Sequence, residues 1–467
     1  LDINSKDLII SGIYEVKLMV DPSNLDDPPR VQIFPNGGVV KVKKNRDFLF
    51  NGVIDAGSGR LNLFGKNFLF SYDEFKLDLQ DIDSIYISVP VKPITKTNQK
   101  LERIKTVLEY VQDDSQSLQG ELRLDHPSNK SGIRKDSFPE FPIFRSFQRS
   151  YAYYDSRHST YNREYVRDKF FFHLDPYVID SVATYTAKGL YFPGTFESAG
   201  IFEKFKDTLR VQEDISLGFH HKTPNHGLPI YGGKARFYND IYLNNQEGLK
   251  GDGIFEYLTA TATADILFFP DSTTLNTTVF NISEVIAGIE FPEVSNTITG
   301  ARFLPYSDRL NINMDEKSFN FYNNKAKFEG DLVMKPTGLT GIGLMVLDKA
   351  EVRSNLFQYN AHWFGSASAD LNIFNDSGKL AVTANNLRTH IDLKIREGIF
   401  HSNDADDSNF DFFVNQYLCH FDQCIWNMDK ESFILGNVSG SNSIGSKFIS
   451  THSDQESLSF VAQTAGY

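Results

Sequence analysis

Five tyrosines, Tyr151, Tyr153, Tyr154, Tyr161 and Tyr165, crowd into "SYAYYDSRHSTYNREYVRD" among arginines. Rings and guanidinium groups at this density suit a stacking platform for sugars, or a protein interface, where both residue types are enriched. The plainer reading is large rings packed between β-layers. These five tyrosines are the candidate ligand-binding residues. "FHHKTPNH" gathers His220, His221 and His226, which a turn could bring around a transition metal. "NDADDSNFDFF" gathers Asp404, Asp406, Asp407 and Asp411, carboxylates of the kind that bind calcium. The calcium-loop pattern is not met, because Asn409 stands where glycine belongs. Solvated loops account for both clusters, so no metal and no cofactor is expected, with His220, His221, His226, Asp404 and Asp406 as the weak candidates.

Cys419 and Cys424 in "YLCHFDQCIW" are the only two cysteines. On an extended strand their side chains would point to opposite faces, roughly 16 Å apart, so a disulfide would need a turn between them. A pair of buried or half-buried free thiols is expected, with a disulfide or a metal site as the alternatives. Two thiols cannot hold a chain of 467 residues together, so its cores must. Trp363 and Trp426 read as core.

"GLKGDG" (Gly248 to Gly253) and "GLTGIG" (Gly338 to Gly343) invite a phosphate-loop reading. No helical pattern follows either one, and no Lys-Ser or Lys-Thr closes them. They read as β-turns followed by glycines that bend or pack closely. No serine elbow, zincin helix, kinase or Walker signature is present. A glycosidase carboxylate pair stays open, since its spacing exists only in a fold. Asn276 and Asn281 begin Asn-X-Ser/Thr triplets, too common by chance to place the chain. The expectation is a protein that is not an enzyme.

The elements that must position these residues are strands. Aromatic residues reach 13%, with 40 Phe and 21 Tyr, beside 32 Gly, a composition suited to strands and turns. "GIYEVKLMV" and "FKLDLQDIDSIYISVPV" alternate with period two, and "DPSNLDDPP" and "DAGSG" punctuate them. One segment breaks the rhythm: residues 98–112, "NQKLERIKTVLEYVQ", place Leu101, Ile104, Val107, Leu108 and Val111 at helical spacing, with Asn98 as N-cap. The expected fold is all-β, with repeated antiparallel units in a sandwich, jellyroll or solenoid-like stack, and one short helix near 98–112.

The repetition is explicit. "YGGKARFYNDIYLNNQEGLKGDG" starts at Tyr231 and "YNNKAKFEGDLVMKPTGLTGIG" at Tyr322, with Lys234/Lys325, Ala235/Ala326, Phe237/Phe328 and Asp240/Asp331 aligned. A one-residue slip then aligns Gly248 with Gly338. "GIFEKFKDTLRV" (from Gly200) matches "ARFLPYSDRLNI" (from Ala301) at a longer offset. The expected organisation is a β-block with the helix at 1–125, an aromatic-rich connector at 126–195, copy one at 196–295, copy two at 296–385, and further β-units at 386–467.

A net charge of -13 argues against nucleic acid, whose phosphates need clustered Lys and Arg. No apolar run is long enough for a membrane-crossing helix. Leu1 opens within strand-like text, so the chain is expected to be part of a longer one.

"SLGFHHKTPNHGLPIYGGKARF", "GLKGDGIFEYLTATATADILFFPDS" and "NQYLCHFDQCIWNMD" together resemble large, repeat-built envelope proteins of Bacteroidota whose function is not established, over about two thirds of the chain. The resemblance implies a longer parent chain, an envelope location (periplasm, outer membrane or surface) and β-repeats throughout; the expected partners are other envelope proteins, or glycan or lipid. It carries over no site residues. "GNVSGSN" and "KFISTHSDQESLSFVAQTAGY" look like rungs of the β-jellyroll proteins of lipopolysaccharide transport, a weaker resemblance in strand rhythm alone. Three functions follow as expectations: a non-enzymatic envelope scaffold or interaction segment, a carrier of lipid or glycolipid along a β-groove, and a carbohydrate-binding or carbohydrate-active module.

Overall fold

The computed structural model describes residues 7–18, 30–91, 100–109, 118–125, 141–155, 165–297, 299–403, 409–436 and 446–466. Strands dominate them, and helical structure is confined to turns of three residues. None of the described helices is long and apolar enough to cross a membrane. The fold is all-β. The chain forms two compact units, Leu1–Lys222 with Asp240–Lys250, and Thr223–Asn239 with Gly251–Tyr467.

The first unit opens with a long antiparallel sheet. Phe48–Ala56, Leu61–Ser71 and Lys76–Pro90 are its central strands, and Leu118–Arg123, Ile143–Ser146 and Val178–Ile179 extend it. Alternation sets its inner face: Leu61, Leu63, Phe68 and Phe70 are buried from one strand, Leu77, Leu79, Ile85, Ile87 and Val89 from the next. The register between these two strands shifts beside Gly65, whose missing Cβ would lie 2.1 Å from the Asp81 carbonyl. Arg60 fastens a loop to this sheet by donating to the carbonyls of Ala183 and Tyr185, both at 3.0 Å. A second antiparallel run joins Ser150–Tyr153, Phe170–Leu174, Tyr191–Ser198, Phe205–Val211 and Leu217–Lys222 in sequence order.

The helix expected near 98–112 does not form. Leu101–Arg103 is a strand against Ser88–Pro90, and Val107–Glu109 is another against Tyr151–Tyr153. Between them, Ile104 N donates to Ile87 O and Lys105 N to Ile215 O, both at 2.9 Å. Leu217 N donates to the Thr106 hydroxyl at 2.7 Å. These partners, distant in sequence, satisfy the backbone as an extended connector. Ile104, Thr106 and Val107 are β-branched, so helical propensity is weak and tertiary pairing outweighs it. Asn98 and Val111 lie outside the described residues.

The duplicated text is duplicated structure. Ala235–Asn244, Gly248–Tyr257 and Ala260–Phe268 follow one another in copy one as Ala326–Lys335, Gly338–Val346 and Ala350–Tyr359 do in copy two. Each copy enters through three successive left-handed residues, Tyr231, Gly232 and Gly233 in one and Tyr322, Asn323 and Asn324 in the other. Glycine and asparagine are the residues that tolerate this conformation. The Tyr231 hydroxyl donates to the Phe269 carbonyl at 2.7 Å, and the Tyr322 hydroxyl to the Trp363 carbonyl at 2.9 Å. Each tyrosine thereby anchors the turn after its copy's third strand. Lys234 donates to Pro305 O and Lys325 to Leu393 O, again in matching turns. The one-residue slip is a turn length: Asn245–Glu247 connects the first two strands of copy one, Pro336–Thr337 those of copy two.

The earlier match, Gly200 to Val211 with Ala301 to Ile312, does not align equivalent strands. Arg309–Met314 pairs with the long strand Ala326–Lys335, a position that Leu217–Lys222, not Phe205–Val211, holds beside Asp240 to Leu243.

In the second unit the sheet divides into two rows. The amino-terminal part of Leu380–Asp392 faces Asn409–Phe412, and its carboxy-terminal part pairs with Glu397–Ser402. One row continues through Tyr417–His420, Ser446–Ser450 and Ser459–Ala462, the other through Gln423–Asn427, Ser432–Gly436 and Thr464–Gly466. Rings from the two rows interlock. Phe410 lies 5.0 Å from Phe433 and 6.3 Å from Phe400, and Phe412 lies 6.3 Å from Phe433. Phe400, Phe410 and Phe433 have no exposed surface.

Candidate functional site

The structure buries Tyr153, Tyr154 and Tyr165 and leaves Tyr151 half-buried. Tyr154 and Tyr165 are fully buried. Tyr154 donates to Leu217 O at 3.0 Å, Leu249 N donates to the Tyr165 hydroxyl at 2.9 Å, and Tyr165 stacks on Phe170 at 4.0 Å. Those bonds make both rings part of the packing. Tyr151 and Tyr153 share the other face of their strand. Tyr151 is half-buried and stacks on His173 at 4.8 Å and beside Tyr153 at 6.1 Å, the planes tilted by 11° in each case. Arg167 covers Tyr153 at 4.3 Å and is held by Asp155 at 2.8 Å. Burial, and then the nearby Arg149 charge, lowers the His173 pKa, so this ring is neutral at pH 7. The row Tyr153–Tyr151–His173 is a neutral aromatic ladder. Tyr161 lies outside the described residues.

His220 and His221 are neighbours on the strand Leu217–Lys222, so their side chains leave opposite faces. His220 bonds Asp240 at 2.7 Å and stacks on Tyr242 at 4.5 Å. His221 bonds Asp207 at 2.8 Å and lies over Phe205 at 4.2 Å. His226 lies in the following turn, where its backbone carbonyl accepts from Arg236 at 2.8 Å. Asp404, Asp406 and Asp407 lie outside the described residues, and Asp411 pairs with Leu418 in a strand. Among the described residues no group of three or more His, Cys, Asp and Glu side chains could hold a metal ion.

Cys419 and Cys424 are free and buried. The turn at Phe421 and Asp422 separates their strands, so both thiols point inward despite their odd spacing. Burial pushes the Cys419 thiol up to about 12 and raises Cys424 as well. These are packing thiols, far from the thiolate state that nucleophiles and metal ligands need. Asp55 and Asp411 have raised carboxyls, and burial is the leading cause in both. In neither does a second carboxylate contribute, as a glycosidase pair would require.

One feature was not visible as a motif. A cleft of about 250 Å³ opens among the turns of copy two and the strands beyond it. Leu347, Leu393, Trp426 and Met428 line its apolar part, and Lys325 and Arg396 stand at its rim. Arg396 is held by Asp429 at 2.5 Å, and Lys349 is paired with both Asp376 and Glu431. The only sequence signal is a difference inside the repeat: after the slip, Leu347 stands where copy one has Tyr257.

No family model matches the chain, no curated protein matches it, and no solved structure matches it.

Proposed function

We propose that this chain is a non-enzymatic scaffold or interaction segment of a larger bacterial envelope protein. The observation that carries this reading is the interior of the second unit. Rings from facing rows meet at packing distance, and Phe400, Phe410 and Phe433 expose nothing. A lipid carrier needs an apolar interior open along one side, where an acyl chain replaces such contacts. Hydrolysis needs paired groups with pKa values pushed apart, and the raised carboxyls Asp55 and Asp411 owe nothing to a second carboxylate. The envelope location and the longer parent rest on the sequence resemblance alone.

The stacked pair Tyr151 and His173, both half-buried beside the buried Tyr153, favours one second reading, a carbohydrate-binding face.

The test uses a photo-crosslinking amino acid at Tyr151 and, separately, at Phe433, in the full protein in cells. The scaffold reading expects protein adducts at Tyr151 and none at Phe433, with no lipid in solvent extracts of the purified chain. Stoichiometric phospholipid, or lipid adducts at Phe433, would establish the carrier. Glycan adducts at Tyr151 would establish the carbohydrate module.

A further inference from the structure

The two copies differ at one place in a way that leaves space. In copy one, Tyr257 ends the second strand with 1% of its surface exposed. Its ring packs on Phe303 at 4.8 Å, and its hydroxyl donates to the Asp308 carbonyl at 2.8 Å. The turn holding Asp308 is the one Lys234 reaches through Pro305 O. In copy two the corresponding turn begins at Leu393, which Lys325 reaches at 3.4 Å. The residue facing it is Leu347, shorter than tyrosine by most of a ring. The cleft described above lies between Leu347 and Leu393. Copy two is therefore open where copy one is filled by its own phenol.

We propose that this cleft receives the tyrosine side chain of a partner protein segment. The proposal rests on the scaffold reading and names one of its contacts. At about 250 Å³ the cleft is smaller than the roughly 300–1,000 Å³ of ordinary small-molecule sites, so it fits a single side chain. Leu347, Leu393 and Met428 supply apolar wall for one face of a ring, and the charged residues Lys349, Arg396, Asp429 and Glu431 line the rest. The rim is polar, with Asp348 exposed beside Lys325. An ammonium has three donors, and among the described residues Lys325 makes one hydrogen bond, the long one to Leu393 O. A phenol both donates and accepts, so it can take the place of water at this exposed rim, which a phenylalanine or leucine side chain cannot.

The experiment is saturation-transfer NMR on the full chain, with N-acetyl-tyrosinamide as probe and N-acetyl-leucinamide as control. Saturable transfer is expected for the tyrosine probe at millimolar concentration and none for leucine. Leu347→Tyr rebuilds the copy-one filling and should weaken the probe by about tenfold or more, a loss of about 1.4 kcal/mol, with the melting temperature unchanged or higher. If that variant fails to fold, Leu347→Phe supplies the ring without the hydroxyl and should weaken the probe in the same direction. Equal transfer to both probes, or affinity unchanged in a folded ring-bearing variant, overturns the proposal. Failure here with protein adducts still formed at Tyr151 removes the cleft and leaves the scaffold reading standing.

Discussion

At the scale of single residues, the chemistry-bearing types were visible in the sequence but their directions were not. His220 and His221 are adjacent, and adjacency on a strand sends them to opposite faces, each to its own aspartate. Tyr151 and Tyr154 likewise part, one to a half-buried ladder and one to the core. Cys419 and Cys424 go the other way, because a turn reverses the parity that an unbroken strand would impose. Their environment yields a prediction. The Cys419 thiol titrates near 9 unfolded and about 12 folded, because burial disfavours the thiolate. A raised folded value means its contribution to stability is complete below about pH 9 and is lost as pH climbs towards 12. Denaturant midpoints measured from pH 8 to 10 should therefore fall, and the fall should be shallower in Cys419→Ala. The window stops at 10 because Tyr231 and Tyr322 are also raised by burial and add their own alkaline loss above it. An equal slope in both proteins would count against a buried neutral thiol.

At the scale of elements, strands were legible because alternation with turn punctuation is a strong local signal. The segment 98–112 misled because apolar residues at helical spacing also fit an extended chain that bends once. What decides between them is the pairing with Ile87, Ile215 and Leu217, none of it local. The repeat was legible where a turn constrains residue type, as at Gly232 and Asn323, and misaligned where only alternation supported it, at Gly200 and Ala301. The glycines inside the second strand of each copy were legible as oddities, and the structure supplies their cause. A Cβ on Gly253 would lie 2.0 Å from Tyr238 O, and one on Gly343 would lie 2.1 Å from Glu329 O. Neither carbonyl can retreat without breaking its ladder. Gly343 also sits at φ 155°, where other residues are strained. Gly343→Ala should cost about 1–3 kcal/mol, as overpacking does, whereas the exposed Gly378→Ala, with open space at φ 72°, should lose only the left-handed penalty of about 1–2 kcal/mol. Thermal melts would check this: the Gly343 variant should also lose amide protection along Gly338–Val346, and the Gly378 variant should not.

At the scale of the whole molecule, one boundary was hidden from any linear reading. The first compact unit takes in Asp240–Lys250, a stretch that falls inside copy one of the repeat. Composition does not shift there, and no linker marks it. The reason is pairing: Phe219, His220, His221 and Lys222 lie opposite Leu243, Tyr242, Ile241 and Asp240. The same stretch donates Leu249 N to the buried Tyr165 hydroxyl and places Asn245 beside the buried Thr106. A fragment ending at Lys222 therefore loses the partner of its last strand and the Leu249 N–H that donates to Tyr165. A strand edge left open invites aggregation. A fragment ending at Lys250 restores both contacts at the expense of 28 further residues, counted from 223 to 250. The longer fragment should melt at the higher temperature, stay monomeric at a concentration where the shorter one associates, and protect the amides of Leu217–Lys222 from exchange. If the two fragments melt together and protect that strand equally, Asp240–Lys250 contributes nothing to the first unit's fold, and the boundary belongs at Lys222.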